Sequence, residues 1–397
     1  MNAQKRIWSI SFIVVTLANA LVFMIFEMLL PTLPLFVDAL GGNAAHIGLV
    51  TGIFMFSAIL VRPFAGMLAA QMDKKWLLML GLLIMALSTG GYYLADTVYA
   101  LLTIRLIHGA GFGLTVTYFT TMAAEIIPKE RRGEGIGYFG VGETVAISVG
   151  PMIGIGVLNL YGFQWLFVGG MAVMLLTMLM VLFIQRDPDV QQGEKHEKVS
   201  FTFVEKRVLF PALLIFLVGL AAGGIMSFFS VYAEENDFSH VGVFFLLIAA
   251  AGFLVRLVSG KLFDRYGPPV ILVPGALLAM AGLTMLYVTT NTVVILVAAV
   301  CYGFGFGAIF PAIQTWCLDL VGDREHENAM ASFFNFFDLG IGGGSLVLGV
   351  VAAATSYQTI YLITSSIYGI LILTYLLSLK WTKRSSSYPE TSKESHG

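Results

Sequence analysis

Four ionisable side chains interrupt long apolar stretches of the sequence: Glu27, Arg105, Glu143 and Asp338. A charge inside an apolar helix costs about 2.5–3.5 kcal/mol on insertion scales, so such residues are rare and usually functional. A carboxyl group in these surroundings can take up and release a proton, or attract a cation. A fixed guanidinium nearby favours the charged form of such a carboxyl group. The pattern therefore predicts proton chemistry at the three acids, tuned by Arg105.

Each of these residues also has a structural interpretation, and the sequence leaves it open. Glu27 could hold a hydrogen bond to a neighbouring helix, and Arg105 could extend its guanidinium to the membrane interface. Glu143 and Asp338 could bind backbone or serine groups where glycines weaken a helix. Two further arginines, Arg62 and Arg256, are interpreted as anchors or gate elements rather than substrate ligands.

The elements that must hold these residues are apolar segments long enough to cross a bilayer. The chain of 397 residues is 58% hydrophobic and 12% charged, about half the charged fraction of a soluble domain. The sequence therefore predicts an all-α membrane protein of twelve transmembrane helices. The predicted spans lie at 8–36, 47–70, 76–95, 99–125, 134–158, 163–185, 208–233, 241–262, 270–289, 292–318, 329–354 and 358–380.

The positive charges orient these spans. Arg62, Arg105 and Arg256 fall inside spans. Every other lysine and arginine lies at a span end or in a loop on the same side of the membrane as the N-terminus. Cytoplasmic segments carry such an excess, so both termini are predicted to be cytoplasmic. The predicted organisation is an N-terminal six-helix half at 1–185, a polar cytoplasmic linker at 186–207, a C-terminal six-helix half at 208–384 and a disordered cytoplasmic tail at 385–397.

The two predicted halves match each other at an offset of 194 residues, as from His46 to His240. At this offset Asp338 aligns with Thr144, the neighbour of Glu143. The pattern predicts a parallel duplication, with a substrate site between the halves near the bilayer midplane. Further matches are Arg62 with Arg256, Gly109-x-Gly111-Phe112-Gly113 with Gly303-x-Gly305-Phe306-Gly307, and Gly150 with Gly344.

Three motifs identify a family resemblance. The loop between spans 8 and 9 reads Gly260-Lys-Leu-Phe-Asp264-Arg265-Tyr-Gly267, span 4 contains Arg105-x-x-His108-Gly109, and span 5 contains Gly142-x7-Gly150-Pro151-x-x-Gly154. With these motifs the chain resembles the major facilitator superfamily over nearly its full length, and in particular its twelve-span drug:proton antiporters. The resemblance implies two pseudo-symmetric helix bundles that rock around a central cavity. It also implies that Arg105 couples protonation to conformation.

The resemblance further implies that spans 1, 4, 7 and 10 line the cavity. Side chains on these spans are mainly aromatic and apolar, which suits amphipathic substrates better than sugars. An aromatic residue at helical spacing can equally be a packing residue. The candidates for the cavity are Asn19, Phe23, Tyr118, Phe229, Tyr232 and Gln314.

Candidate gating residues follow from the same motifs. Gly150, Pro151 and Gly154 are implied to limit leak, and we expect them to pack against span 8. In the first-half copy of the loop, which begins at Gly66, Ala70 and Gln71 replace the family's acidic and basic residues. The intact latch is therefore expected in the second half, at Gly260, Asp264, Arg265 and Gly267, with a partner around Arg131 and Arg132.

These observations predict a proton-coupled exporter of amphipathic or cationic small molecules in a bacterial cytoplasmic membrane, working as a monomer. An alternative is a dedicated exporter of a metabolite such as a sugar or a metal-chelating opine, and a less favoured one is a membrane sensor without transport. The sequence contains no nucleophile–base pair, P-loop lysine motif or metal cluster, so we expect no enzyme, cofactor or metal site. No basic stretch suggests nucleic acid, and the two cysteines, Cys301 and Cys317, are expected to be inert.

Overall fold

The computed structural model describes residues 7–69, 71–128, 131–184, 204–238, 240–289, 291–322 and 325–385. These residues form eleven α-helices and no strand, and all eleven are long and apolar enough to cross a membrane. The helices are α1 Ile10–Ala39, α2 Ala44–Ala69, α3 Lys74–Gly91, α4 Val98–Ile126, α5 Arg132–Leu182, α6 Leu209–Glu235, α7 Val241–Tyr266, α8 Pro269–Val288, α9 Thr292–Asp319, α10 His326–Ala354 and α11 Tyr357–Ser385.

Helix α5 contains a break at Gly162. This residue has φ 79° and ψ 178° within an element of 51 residues, a backbone conformation that glycine adopts without steric cost. The break separates a first arm, 132–161, from a second arm, 163–182. These arms correspond to predicted spans 5 and 6, while spans 1–4 correspond to α1–α4 and spans 7–12 to α6–α11. Ser356, which separates α10 from α11, lies 194 residues after Gly162.

The internal repeat extends to helix packing. A Cβ atom added to Gly109 would meet the carbonyl oxygen of Phe54, and one added to Gly303 would meet that of Ile248, at the same offset of 194. Gly113 lies against Ala58 in the same way as Gly307 lies against Gly252. Gly111 lies against Gly81 in the same way as Gly305 lies against Gly275. Helices α2, α3 and α4 therefore pack through the same glycine positions as α7, α8 and α9.

The two halves meet along α2 with α10, α5 with α7, and α1 with α6. At one end of the bundle, Gly48 of α2 lies against the backbone of Ser345 in α10. The buried hydroxyl of Ser227 in α6 is 2.9 Å from those of both Thr51 and Ser345. These hydroxyls satisfy one another across the interface between the halves, so this end is closed. We call it the closed end.

Several polar contacts at the opposite end join helices of the same half. Asp73 caps α3 by accepting from the backbone N–H of Lys75 at 2.8 Å, and the Lys75 ammonium donates to the carbonyl oxygens of Leu182 and Ile184 at 2.8 and 3.1 Å. Lys74 forms an ion pair with Glu125. The short loop of the first half therefore fastens α3 to α4 and to the end of α5.

The chain that enters α6 is held to the start of α10. Arg207 contacts Glu205 at 2.8 Å and Glu325 at 3.0 Å, and the Glu205 N–H donates to Ser332 Oγ at 2.8 Å. The hydrogen bonds from Arg207 hold the pKa of the Glu205 and Glu325 carboxyl groups below their ordinary value. The predicted linker 186–207 otherwise falls largely outside the described residues, as does the predicted tail beyond residue 385.

Candidate functional site

A cavity between the two halves is bounded by α1, the first arm of α5, α6, α7 and α9. The space between its lining residues amounts to about 700 Å³ when the part open to the surroundings is counted. Two ionisable side chains, Glu27 of α1 and Arg256 of α7, are among its described lining residues. The other lining residues are apolar or glycine, and include Leu30, Ile147, Ile225, Phe245, Ile248 and Phe306. The cavity is therefore an apolar site that carries one charge from each half.

Glu27 is only 5% exposed, and α5 packs directly over its backbone. A Cβ atom on Gly150 would lie 2.6 Å from Glu27 Cβ, and one on Gly154 would meet the carbonyl oxygen of Met28. The expectation that this motif packs against span 8 is therefore wrong for its glycines, which lie against α1 of the same half, while Met152 and Ile155 beside them lie near Gly242 of α7. Pro151, next to Gly150, lines the cavity. The motif sets how closely α5 approaches the turn that carries Glu27.

Glu143 is tied to α1. The Asn19 Nδ2 atom donates to Glu143 Oε1 at 2.9 Å, and Asn19 is fully buried. The Asn19 Oδ1 atom is buried without a hydrogen-bond partner among the described residues. Glu143 also lies near enough to Asp338 for the two charges to interact.

Asp338 bridges the halves. Its Oδ2 atom lies 2.5 Å from Arg62 Nη2, and Arg62 Nη1 donates to Asn335 Oδ1 at 2.6 Å. Arg62 belongs to α2 and both partners belong to α10. The guanidinium is therefore shared between two groups one helical turn apart on the other half. Whether Arg62 is an anchor or a gate element stays a prediction.

Arg105 lies in a buried network within the first half. It is 1% exposed, its Nε atom donates to the Val50 carbonyl oxygen at 3.0 Å, and its guanidinium lies 4.0 Å from the Phe54 ring centroid. Its Nη1 atom is 3.4 Å from the Tyr92 hydroxyl, which lies 2.6 Å from His108 Nδ1. Arg105 is thus held by α2 and by the turn after α3, and its role in coupling stays a prediction.

The six predicted cavity residues are not among the described lining residues of this cavity. Tyr118 donates to the Ala65 carbonyl oxygen at 2.8 Å, and Tyr232 donates to that of Leu286 at 3.0 Å. Phe229 stacks on Phe244, Phe23 packs against Phe112, Gln314 lies 3.7 Å from the Met330 sulfur, and Asn19 binds Glu143. Their contacts are with neighbouring helices, and a substrate role for them stays a prediction.

The predicted latch lies at the end of α7. Asp264 and Arg265 are exposed, and the Arg265 guanidinium lies 5.2 Å from the Tyr266 ring centroid. Gly267 ends the helix with φ 73°, a conformation favoured by glycine. Gly260 has open space around it. Gly66 lies in α2, while Ala70 and the side chain of Arg132 fall outside the described part of the structure, so the latch stays a prediction.

The sequence interpretation missed three participants. Arg256 lines the cavity, although it was interpreted as an anchor or gate element. Asn335 and Tyr92 hold Arg62 and Arg105, and neither was singled out. The sequence did draw attention to Arg256, because the offset of 194 residues aligns it with Arg62. No sequence signal distinguishes Tyr92 from Tyr93, which follows it in the turn after α3. Among the described residues, no cluster of three or more His, Cys, Asp or Glu side chains could hold a metal ion.

The sequence is similar to known efflux proteins along most of its length. It is 24% identical over 382 residues to the "Multi-drug resistance efflux pump PmrA homolog" of Lactococcus lactis subsp. lactis, covering 92% of this chain and 94% of that protein. It is 27% identical over 380 residues to the multidrug resistance protein MdtG of Escherichia coli O17:K52:H18, covering 91% and 92%.

The fold is similar to solved transporter structures. The nucleoside transporter NupG superposes with a TM-score of 0.77 at 17% identity, covering 92% of this chain and 99% of that chain. A bacterial homologue of the human lysosomal transporter Spinster, in an inward-facing and occupied conformation, gives 0.78 at 17% identity, covering 93% and 96%.

Eleven apolar helices and bacterial efflux relatives make this chain a multi-pass protein of the cell membrane. The relatives named above are transporters, which fits the expectation that the chain is not an enzyme. Residues 15–345 match the description Major Facilitator Superfamily. This match covers most of the chain and all the motifs described above. The chain therefore belongs to the Major Facilitator Superfamily of transporters.

Proposed function

We propose that this transporter exports amphipathic or cationic small molecules in exchange for protons, by alternating access. The observation that carries the proposal is Glu27, a buried carboxyl group in an apolar cavity between the halves. A carboxylate there attracts a cation strongly, because few polar groups and little water compete with it. The multidrug efflux relatives support the direction of transport and the breadth of the substrate class.

The proposed exchange rests on competition at Glu27. The ionised carboxylate binds a cationic substrate from the cytoplasm, and the halves then rock to open the cavity outward. A proton from outside neutralises the carboxylate, which removes its attraction for the cation and releases the substrate. The neutral form returns inward and loses its proton to the cytoplasm. Proton and substrate cannot both occupy the carboxylate, so the movement of one is coupled to that of the other.

Asp338 would connect protonation to movement of the halves. Its ion pair with Arg62 joins α2 to α10. Protonation of Asp338 removes the negative charge and weakens this cross-half contact, because an ion pair becomes a hydrogen bond between a guanidinium and a neutral carboxyl group. Glu143 lies within electrostatic range of Asp338 and accepts a hydrogen bond from Asn19. It would serve as a second site that binds the proton.

The proposal includes the membrane arrangement predicted from the sequence. We propose twelve spans, with the two arms of α5 crossing separately, and both termini in the cytoplasm. The halves at 1–185 and 208–384 would rock as two bodies joined by the linker at 186–207. The partners are a small-molecule substrate, protons and the bilayer, and the working unit is a monomer.

Purified protein in proteoliposomes with an imposed pH gradient tests the proposal. Addition of cationic amphiphiles to the wild type is expected to cause proton movement that a pH-sensitive dye inside the vesicles records. Glu27→Gln is expected to abolish this coupled movement, because the amide cannot exchange a proton.

Two results would contradict this assignment. One is coupled flux that survives Glu27→Gln, Glu143→Gln and Asp338→Asn in the same chain. The other is the absence of proton movement in wild-type protein across a broad panel of cationic and amphipathic compounds. Lys261→Gln, an exposed site on α7, serves as the control for a lost charge outside the cavity.

A further inference from the structure

Two buried oxygen atoms on one face of α1 have no hydrogen-bond partner among the described residues. They are the hydroxyl oxygen Oγ1 of Thr16 and the amide oxygen Oδ1 of Asn19. Residues three apart on a helix are neighbours on its surface, so both oxygens belong to the same face. A buried polar atom without a partner is destabilising, and each one in a native structure requires an explanation.

The Thr16 hydroxyl differs from many threonine hydroxyls in this molecule. Thr32 donates to the Met28 carbonyl oxygen at 2.9 Å, and Thr89 donates to that of Met85 at 2.8 Å, each four residues earlier in the same helix. The Thr16 hydroxyl makes no such bond within the described part of the chain. Its oxygen can therefore act as a ligand.

The orientation of the Asn19 amide is set by Glu143. Asn19 Nδ2 donates to Glu143 Oε1 at 2.9 Å, which is the required direction because an ionised carboxylate only accepts hydrogen bonds. The Oδ1 atom of the same amide is thereby fixed as an acceptor beside the carboxylate, and Asn19 is fully buried. An acceptor in this place calls for a donor or a cation.

Gly142 brings α5 against the same stretch of α1. A Cβ atom on Gly142 would lie 2.8 Å from Ala20 Cβ and 3.5 Å from the Thr16 carbonyl oxygen. Glu143, the next residue, therefore carries its carboxyl group to the part of α1 that contains Thr16 and Asn19. This helix contact thus has three side chains with oxygen atoms: a carboxylate, an amide and a hydroxyl.

The charges around this contact do not cancel. Glu143 lies within electrostatic range of Asp338, and Asp338 pairs with Arg62. When both carboxyl groups are ionised, two negative charges face one positive charge, so one negative charge remains. An uncompensated charge is costly inside a membrane protein, so a positive charge beside Glu143 would be stabilising.

From these contacts we propose a binding site for a sodium ion between α1 and the first arm of α5. Its ligands are the Glu143 carboxylate, Asn19 Oδ1 and Thr16 Oγ1. Oxygen atoms of this kind suit hard cations, and the single remaining negative charge favours a monovalent ion. The close approach of the helices at Gly142 favours a small ion, because the space between the ligands contributes to selectivity among cations.

This site goes beyond the proposed exchange at Glu27. Thr16, Asn19 and Glu143 are not among the described lining residues of the cavity, so the ion and the substrate bind at different places. Sodium at Glu143 joins α1 to α5 beside the Arg62–Asp338 pair that connects the halves. A sodium ion and a proton cannot both neutralise the same carboxylate, so sodium competes with a proton there.

Binding of radioactive sodium to purified protein tests the site. A scintillation proximity assay compares the wild type with Thr16→Val, Thr16→Ser and Glu143→Gln. Valine has nearly the shape of threonine, so Thr16→Val removes the hydroxyl without opening a cavity. Thr32→Val, on the same helix, is the matched control, because the Thr32 hydroxyl is already bonded to a carbonyl oxygen. Thermal unfolding in detergent checks that each variant is folded.

The wild type is expected to bind sodium saturably, and unlabelled sodium should displace the label more effectively than potassium does. Glu143→Gln should abolish this binding, because the amide has no charge for the ion. Thr16→Val should weaken it about tenfold, the factor expected from one lost ligand, while Thr16→Ser and Thr32→Val should stay within about threefold of the wild type.

Four results would overturn the inference. They are the absence of saturable sodium binding in the wild type, binding that Thr16→Val and Glu143→Gln leave unchanged, an equal loss in Thr16→Val and Thr32→Val, and displacement by potassium as effective as by sodium. Proton movement driven by cationic amphiphiles in sodium-free vesicles separates the two proposals. If it persists when sodium fails to bind, export stands and only the sodium site is removed.

Discussion

Two arginines that the repeat pairs, Arg62 and Arg256, have different surroundings. Arg62 bridges α2 and α10 by contacting Asp338 and Asn335, whereas Arg256 lines the cavity. Arginine at this repeat position thus contacts the other half at the interface in one case and lines the cavity in the other. At the repeat position of Asp338 the first half has Thr144, which is not acidic.

A double-mutant cycle tests the Arg62–Asp338 contact. Arg62→Met is expected to lower the free energy of unfolding by about 2 kcal/mol, because it leaves a largely buried carboxyl group without its cation. Combining it with Asp338→Leu should cost less than the sum of the single changes, with a coupling energy of about 1–3 kcal/mol. Denaturant unfolding in detergent measures both. Strictly additive losses would show that the two side chains do not interact.

Tyr92 and Tyr93 form a matched pair for the Arg105 network. Tyr92→Phe removes a buried hydroxyl that lies between Arg105 and His108, and we expect a loss of about 1–3 kcal/mol in the free energy of unfolding. Tyr93 is 50% exposed, so Tyr93→Phe should change stability by less than about 0.5 kcal/mol. Thermal unfolding in the same detergent compares them, and equal effects would contradict the assigned network.

Helix α5 shows how one element serves both packing and the cavity. Gly150 and Gly154 allow its first arm to lie against α1 at Glu27 and Met28, and Pro151 between them faces the cavity. The spacing of small residues reveals from the sequence that this face packs closely. It does not reveal the partner, because a groove without side chains accepts any helix whose ridge fits it. The partner of the two glycines is α1, whereas span 8 was predicted, although α5 also contacts α7.

Gly154 and Gly156 separate the effect of this packing from that of helix propensity. A Cβ atom on Gly154 would collide with the Met28 backbone, while one on Gly156 meets open space. Gly154→Ala is expected to lower the free energy of unfolding by about 1–3 kcal/mol through overpacking. Gly156→Ala should be neutral or stabilise by up to about 1 kcal/mol, since alanine favours helix. Denaturant unfolding of both variants decides, and a loss confined to Gly156→Ala would refute the packing.

At the scale of the whole molecule, the hydropathy pattern predicts the helices well. The predicted span 292–318 corresponds to α9, Thr292–Asp319, and 241–262 lies within α7, Val241–Tyr266. The match arises because a bilayer demands a long apolar run wherever a helix crosses. The side chains that meet in the cavity were not predictable to the same extent. Helices such as α4 and α9 are apolar on every face, so periodicity does not identify the face that looks inward.

The Gly162 break gives a test of the membrane arrangement. Tyr161 is 65% exposed and lies next to the break, at the end of the first arm of α5. In a chain with Cys301→Ser and Cys317→Ala, Tyr161→Cys is expected to react with a membrane-impermeant maleimide added to whole cells. Trp76→Cys, at the start of α3, should react only after permeabilisation. The reverse pattern would invert the proposed topology, and an unreactive Tyr161→Cys would argue against separate crossings by the two arms.

The glycine contacts shared at an offset of 194 residues carry information about history. Gly109 on Phe54 and Gly303 on Ile248 are the same contact, made once in each half. The simplest explanation is that a single six-helix ancestor already made it, before its gene was duplicated and joined. Features without a counterpart, such as the Arg105–Tyr92 contact, mark where the fused copies have since diverged.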